Sequence, residues 1–161
     1  MTVAGSANRA KLQLMSTNEV FTGAAMEPRR EKPRTRLMFA DDNPAILEQL
    51  CAMLKGRFEI VAAVSSGEDV LRKYAALAPD VIILDISMGR MSGLDVAKAL
   101  RKQGCHLPII FLTVHTGADF VSTALACGGS GYVVKAYMRK DLLKALSAVL
   151  SGELFVSPCA S

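Results

Sequence analysis

The sequence lacks three features that would place it in a membrane, a secreted or a zinc-binding class. It has no run of about 18 consecutive apolar residues, so no transmembrane helix is expected. Residues 1–25 contain no continuous apolar stretch, which argues against a secretory signal peptide. No two cysteines form a CxxC pair, so we expect reduced thiols in a cytosolic protein and no zinc site. The cysteines are Cys51, Cys105, Cys127 and Cys159.

Positive charge is concentrated at the start of the chain. Residues 1–36 contain seven Lys or Arg and three Glu, which accounts for the whole net charge of +4. Because this segment is polar and is interrupted by Pro28 and Pro33, residues 1–35 are predicted to form a disordered basic leader. Two alternatives stay open. A basic leader can touch nucleic acid, and Met26 is a second candidate for the start of translation.

One folded domain is expected after the leader, over residues 36–158, with a short tail at residues 159–161. The chain has 161 residues, of which 51% are hydrophobic, enough for a single core. Five short apolar runs alternate with amphipathic stretches. Such runs are typical of strands covered on both faces, so the pattern predicts a doubly wound α/β fold with a five-stranded parallel sheet. The runs are residues 37–40, 59–64, 81–84, 109–112 and 131–134.

Capping signals between the apolar runs predict where the helices begin and end. Asn43 followed by Pro44 predicts the start of the first helix. A serine or threonine followed three residues later by an acid predicts three further starts, at Ser65, Ser92 and Thr116. Glycines predict the ends of three helices, at Gly56, Gly104 and Gly128. The last helix is expected over residues 139–150, with an inner face formed by Leu142, Leu143, Leu146, Val149 and Leu150.

Polar residues follow four of the five runs where each strand is expected to end. Asp41 and Asp42 follow the first run, Asp85 the third, Thr113 the fourth and Lys135 the fifth. The carboxyl ends of parallel strands meet at one edge of a sheet, where ligands bind in open α/β folds. Carboxylates there suit Mg²⁺, and one of them can act as a nucleophile toward a phosphoryl group. Lys135 and Thr113 are suited to binding the phosphoryl oxygens.

In order and approximate spacing, these residues resemble the receiver domain of two-component response regulators. The resemblance covers about residues 36–158. It implies a flavodoxin-like (CheY-like) three-layer sandwich with strand order 2-1-3-4-5. It also implies a signalling phosphoacceptor that is not an enzyme and uses Mg²⁺. Two further segments carry the resemblance, Met91-Ser92-Gly93-Leu94-Asp95 and Gly131-Tyr132-Val133-Val134-Lys135.

The resemblance implies a role for each site residue. Asp85 would accept the phosphoryl group, with Thr113 and Lys135 assisting. Thr113 and Tyr132 would form a switch pair, in which Tyr132 turns inward when Thr113 engages the phosphoryl group. The magnesium ligands would be Asp42 directly, Asp41 partly through water, Asp85, and the backbone carbonyl of Ser87.

The chain departs from the family pattern at three positions. Gly89 stands where Pro is usual, and Ala136 replaces a Pro that often follows the lysine. Val114 occupies the position after Thr113, where the family usually has a small residue that leaves the phosphoryl site accessible. His115 lies where family members tune the lifetime of the phosphoryl group. These departures put the rates of phosphorylation and hydrolysis in doubt, not the site itself.

Residues 151–158 resemble the end of the receiver in LuxR-type transcription factors, which continue into a helix-turn-helix domain. Because this sequence stops at Ser161, we expect a stand-alone cytoplasmic receiver. It would be phosphorylated by a sensor histidine kinase or a phosphotransfer protein and would signal to a downstream protein partner. A homodimer is open, whereas specific DNA binding and membrane association are not expected.

Three other functions compete with a stand-alone receiver. The chain can be a receiver fragment of a LuxR-type regulator, or a degenerate receiver that binds partners without phosphorylation. A haloacid-dehalogenase-type phosphatase also uses an Asp nucleophile and Mg²⁺. That family needs a second Asp two residues after the first, and Ser87 stands there instead. The phosphatase is therefore disfavoured.

Overall fold

The computed structural model describes residues 28–160, so the predictions for residues 1–27 lie outside the described residues. Residues 28–35 have no regular secondary structure, and the chain from Arg34 onward forms one compact unit. The strands are β1 (Arg36–Ala40), β2 (Glu59–Val64), β3 (Val81–Asp85), β4 (Ile109–Thr113), β5 (Gly131–Val134) and β6 (Phe155–Val156). The helices are α1 (Pro44–Leu54), α2 (Gly67–Leu77), α3 (Gly93–Lys102), α4 (Ala118–Ala126) and α5 (Met138–Leu150). Single 3₁₀ turns cover Lys135–Tyr137 and Pro158–Ala160.

The sheet is parallel throughout, with strand order β2-β1-β3-β4-β5-β6. The predicted fold class and the order of the first five strands are confirmed. The predicted number of strands is wrong by one, because β6 adds a sixth strand outside β5. Its two residues pair with the start of β5, Phe155 opposite Gly131 and Val156 opposite Tyr132. A two-residue strand is too short to show any periodicity in the sequence.

The opposite edge of the sheet is β2, a strand of six residues that forms five residue pairs with β1. The register of this pairing shifts between Leu37 and Met38, so that Leu37 lies opposite Ile60 and Met38 opposite Ala62. Such a shift inserts an extra residue into one strand and increases the local twist. The edge strand is therefore long but irregular.

Two of the predicted helix starts are present. The Asn43 side chain accepts a hydrogen bond from the backbone N–H of Ala45, and Pro44 is the first residue of α1. Ser92 and Asp95 form a reciprocal capping box at the start of α3. The glycines proposed as helix ends follow α1, α3 and α4 closely, each with positive φ, namely Gly56, Gly104 and Gly128.

The other two predicted starts are wrong. The cap of α2 is Ser66, whose hydroxyl accepts from the N–H of Asp69, one residue later than the predicted Ser65. Two adjacent serines with two adjacent acids downstream give overlapping signals. At α4 the residue before the helix is Gly117, and no side chain caps it, so the prediction of Thr116 is also wrong.

The core lies on both faces of the sheet, which explains why the strands read as unbroken apolar runs. Every residue of β3 and β4 is buried. Helices α2, α3 and α4 contribute to one apolar cluster, and α1 and α5 contribute to the other. Leu150 was expected on the inner face of α5, but it is 46% exposed because it lies in the last turn. Within residues 28–160, no helix is long and apolar enough to cross a membrane.

Arg101 binds the two loops that precede β4 and β5, at the amino-terminal end of the sheet. From the last turn of α3, its guanidinium donates to the carbonyls of Cys105 at 2.9 Å and Leu107 at 2.8 Å, just before β4. It also donates to the carbonyl of Gly128 at 2.6 Å, just before β5. One cation therefore satisfies three backbone acceptors in two connecting loops.

We expect Arg101→Met to lower the free energy of unfolding by about 2–4 kcal/mol, because three charge-assisted hydrogen bonds are lost while the apolar stem is kept. Urea denaturation monitored by circular dichroism measures this difference. The control is Lys102→Met, at an exposed neighbouring position on the same helix. Equal stability of the two variants would show that the carbonyls find other donors.

Candidate functional site

The polar residues that follow the strands come together at the carboxyl edge of the sheet. Asp41 follows β1, Asp85 ends β3, and Lys135 follows β5. The ammonium Nζ of Lys135 lies 2.7 Å from Oδ2 of Asp41 and 3.3 Å from Oδ2 of Asp85. Asp42 completes the group, since carboxylate oxygens of the three aspartates lie within 4.8 Å of one another. The structure thus brings together three acids and a lysine from three separate parts of the sequence.

The three carboxylates suit a hard divalent cation. Asp41 and Asp85 are 1% and 4% exposed, whereas Asp42 is exposed, so the cluster is open to water on one side only. Oδ2 of Asp41 is buried, and its partner among residues 28–160 is the Lys135 ammonium, 2.7 Å away. Mg²⁺ prefers a few carboxylate oxygens and keeps several waters. The residues present therefore fit Mg²⁺.

Burial and charge act on Asp85 in opposite directions. Burial raises the pKa of Asp85 above its ordinary value of 3.8, and the nearby carboxylate of Asp41 raises this pKa further. Lys135 lowers the pKa of Asp85, as does the hydrogen bond that the N–H of Ser87 donates to Oδ1 of Asp85 at 3.3 Å. The causes that raise the pKa of Asp85 outweigh those that lower it, so this pKa is raised overall. Without a bound metal ion, ionisation of Asp85 therefore costs more free energy in the folded chain than it does in water.

We expect Asp85→Asn to raise the free energy of unfolding at neutral pH in metal-free buffer, by about 0.5–2 kcal/mol. A group with a raised pKa in the folded state contributes stability below its unfolded pKa and loses it as pH rises through the folded pKa. The advantage of Asn should therefore fade as pH falls toward 3.8. Thermal melts across pH measure it, with Asp119→Asn as an exposed control. A pH-independent gain would contradict the electrostatic cause.

A chain of hydrogen bonds leads from the site into the loop after β4. The N–H of His115 donates to Oγ1 of Thr113 at 3.2 Å. The hydroxyl of Tyr132 donates to the carbonyl of His115 at 3.0 Å. Tyr132 is fully buried, so it points inward, and burial raises the pKa of its phenol. The proposed switch pair, Thr113 and Tyr132, is therefore joined through the backbone of His115.

The ring of His115 contacts both helix α4 and the loop after β3. The sequence did not reveal these contacts. The ring stacks on Phe120 of α4, with ring centroids 4.6 Å apart. Its Nε2 lies 3.4 Å from Oγ of Ser87, at the opposite side of the site. No motif pairs these three residues, and only the fold brings them together.

The three departures from the family pattern all lie on the surface near the site. Gly89 is exposed and has a φ of 39°, a conformation that proline cannot adopt. Val114 is 67% exposed, although it follows a buried strand. Ala136 is exposed within the 3₁₀ turn that follows Lys135. Val114 therefore lies on the surface next to Thr113 and does not belong to the core.

Comparison with known proteins agrees with this geometry. A family model described as the response regulator receiver domain matches residues 37–147. The nitrate/nitrite response regulator protein homolog of Haemophilus influenzae is 35% identical over 127 residues, covering 77% of this chain and 61% of that protein. A two-component response regulator of the LuxR family from Aurantimonas sp. SI85-9A1 has a TM-score of 0.74 at 27% identity, covering 78% of this chain and 91% of its own.

A second solved structure is similar to the same part of the chain. The isolated REC domain of RcsB from Salmonella enterica serovar Typhimurium, in the presence of phosphomimetic BeF₃⁻, has a TM-score of 0.72 at 26% identity. The alignment covers 79% of this chain and 96% of that domain.

The chain therefore belongs to the response regulator receiver family of two-component systems, and its fold is the CheY-like receiver fold. The resemblance to the receivers of LuxR-type regulators is confirmed. The chain spans about three-fifths of the length of several curated relatives that it matches, such as the 61% of the Haemophilus influenzae protein.

Proposed function

We propose that the chain accepts a phosphoryl group on Asp85, with Mg²⁺ held at the aspartate cluster, and thereby changes its affinity for a protein partner. The observation that carries this proposal is the placement of Asp85. Its carboxylate is 4% exposed, lies beside two further acids, and has the Lys135 ammonium at 3.3 Å. A nucleophile flanked by a cation site and a fixed cation is suited to phosphoryl transfer.

Each residue has a part in the transfer. A carboxylate oxygen of Asp85 forms the bond to phosphorus, while the bond to the donor breaks and the donor leaves with its electron pair. Lys135 and Thr113 bind the equatorial oxygens, by charge and by a hydroxyl hydrogen bond. Asp41, Asp42, Asp85 and the Ser87 carbonyl would hold Mg²⁺, which neutralises charge on the transferring group.

The change of state is proposed to pass through the loop after β4. When the Thr113 hydroxyl turns toward the phosphoryl oxygens, the hydrogen bond from His115 N–H draws the loop with it. The carbonyl of His115 also holds the Tyr132 hydroxyl, so the position of Tyr132 depends on the same backbone. Phosphorylation of Asp85 would thereby shift the positions of both Thr113 and Tyr132.

The partners follow from this chemistry. We propose a sensor histidine kinase or a phosphotransfer protein as the phosphoryl donor and a downstream protein as the recipient of the signal, in the cytoplasm. A homodimer is one form this recipient can take. Within residues 28–160, all five helices pack on the sheet, so we propose no DNA reading by this part. The second candidate is a receiver within a longer LuxR-type regulator, favoured by the similarity to a DNA-binding response regulator of the LuxR family from Staphylococcus aureus.

The test is incubation with acetyl phosphate and Mg²⁺, followed by intact mass and Phos-tag electrophoresis. One added phosphoryl group, suppressed by EDTA, supports the proposal. A chain that stays unmodified at any donor concentration is a degenerate receiver, and the proposal fails. Turnover of a small phosphate ester would instead revive the phosphatase. Salt-resistant binding to one defined DNA duplex would overturn the proposed absence of DNA reading.

We expect Val114→Ala to speed both phosphorylation by acetyl phosphate and later hydrolysis, by roughly threefold to tenfold. Val114 is 67% exposed beside Thr113, and its branched side chain has few rotamers with which to clear the path of a donor or a water. A tenfold change requires only about 1.4 kcal/mol of barrier. Phos-tag time courses give both rates.

The control for Val114 is His115→Ala in the same background, because His115 can oppose the effect by orienting the attacking water. If Val114→Ala changes both rates by less than about twofold, the side chain does not restrict access. An increase in hydrolysis alone would place the restriction on water and not on the donor.

A further inference from the structure

The residues after α5 return to the site as a strap, defined here as residues 155–160. Its first part is β6, where the N–H of Phe155 donates to the carbonyl of Ser130 at 3.1 Å. The N–H of Ser157 then donates to the carbonyl of Tyr132 at 2.8 Å. The strap thus follows β5 toward its carboxyl end, where Lys135 begins.

Ser157 anchors the strap at that end of β5. Its hydroxyl accepts a hydrogen bond from the N–H of Val134 at 3.1 Å and donates one to Oδ2 of Asp141 at 2.7 Å. Ser157 and Asp141 are 0% and 2% exposed. A hydroxyl has a single proton, so donation to the carboxylate leaves its lone pairs for Val134 and fixes its orientation. Buried chains of this kind are rigid when every member is satisfied.

This anchor holds the residue next to Lys135. Val134 is the last residue of β5, and its N–H has no strand partner because β6 stops at Val156. The Ser157 hydroxyl takes the place of the missing strand carbonyl. Lys135 leaves the sheet directly after this bond and reaches Asp41 at 2.7 Å and Asp85 at 3.3 Å.

The far end of the strap is bonded to the loop between β4 and α4. The carbonyl of Ala160 accepts a hydrogen bond from the N–H of Gly117 at 3.0 Å, and Ala160 is fully buried. Gly117 lies four residues after Thr113, at the end of the loop that contains His115. The strap is therefore bonded to the strand end before Lys135 and to the loop after Thr113.

From this double attachment we infer that Ser157 is a positioning residue for the phosphoryl site. Through the strap it holds Lys135 and the Thr113 loop at the spacing that receives a phosphoryl group. The inference rests on the proposed function of Asp85 and adds to it residues that touch neither donor nor metal. Displacements of about 1 Å in positioning groups suffice to cost large factors in rate.

The coupling runs in both directions. If an ordered strap strengthens binding of a phosphoryl group, then a bound phosphoryl group strengthens the order of the strap by the same factor. Amide exchange at Gly117 reports the strap directly, because its N–H is the donor to Ala160. The phosphoryl stand-in beryllofluoride with Mg²⁺ should therefore slow exchange at Gly117.

The experiment compares beryllofluoride affinity, measured by ¹⁹F NMR in the presence of Mg²⁺, across full-length variants. Ser157→Ala removes the hydroxyl and should weaken affinity about tenfold. Ser157→Thr keeps the hydroxyl and should recover most of it. Arg101→Met, which destabilises the opposite end of the sheet, should leave affinity within about twofold, since lost stability alone does not move Lys135.

The outcomes separate the two proposals. Equal affinity of the native chain and Ser157→Ala, with Gly117 exchange faster in the variant, overturns the positioning role alone. Failure of the native chain to bind beryllofluoride overturns the proposed function and the positioning role with it. If Ser157→Ala does not fold, Ser157→Cys keeps a similar volume with a weak donor and acceptor. An affinity for Ser157→Cys equal to the native value overturns the inference, and a weaker one supports it.

Discussion

Asp85→Asn should abolish labelling by acetyl phosphate, because the amide nitrogen and oxygen of Asn cannot form the acyl phosphate. Asp85 is a buried member of the aspartate cluster, and Lys135 Nζ lies 3.3 Å from its Oδ2. We expect no phosphoryl group on the variant within the limit of intact-mass detection. Removal of Mg²⁺ by EDTA should suppress labelling of the native chain to a similar degree.

The matched control for this prediction is Asp119→Asn. Asp119 is an exposed carboxylate in the first turn of α4 and is not a member of the aspartate cluster. The Asp119→Asn variant should be phosphorylated at the native rate. Labelling that survives in Asp85→Asn would move the acceptor to another residue, and tandem mass spectrometry of the labelled peptide would then show which one.

The second large effect is expected for Lys135→Met, which keeps the apolar stem and removes the ammonium. Preorganised donors to developing negative charge are worth about 100-fold to 1,000-fold in rate. Lys135 is a partly buried cation, with 14% of its side chain exposed, and it contacts both Asp41 and Asp85. We therefore expect phosphorylation by acetyl phosphate to slow by about 100-fold, measured by Phos-tag time courses.

The variant should also shift the dependence of phosphorylation on pH. Lys135 lowers the pKa of Asp85, so its removal raises that pKa further. The nucleophile must be ionised, and the rate should therefore begin to fall at a higher pH as pH decreases. Lys140→Met, an exposed lysine on α5, is the control and should keep the native profile. A slow variant with an unchanged profile would mean that Lys135 acts on the phosphoryl group and not on Asp85.

Much of this site could be predicted because of where its residues lie along the chain. Asp85 and Thr113 end unbroken apolar runs, and runs of that kind in alternation with helices leave few topologies other than a parallel sheet. The edge of the sheet then brings Lys135 to Asp41 without any knowledge of side-chain packing. The short distance between Lys135 and Asp41 follows from the strand order. The polar residues at the ends of the apolar runs show where each strand stops.

What could not be predicted depends on contacts between segments that carry no periodic signal. Ser157 follows a strand of two residues, and its partner Asp141 looks like an ordinary acid in the first turn of a helix. The start of α2 was misplaced by one residue because Ser65 and Ser66 offer equivalent caps, and tertiary packing decides between them. His115 and Phe120 stack across the start of α4, and no periodic pattern in the sequence marks that contact.

The two edges of the sheet have a consequence for self-association. Among the described residues, β2 is the long edge, with six residues, and β6 presents only two before the chain turns into a 3₁₀ helix. Strand addition needs a row of free backbone groups, which β6 is too short to provide. Within residues 28–160, two molecules that paired through β2 would leave no second long edge for a third. In the folded state of residues 28–160, strand addition at the sheet edges would therefore stop at pairs.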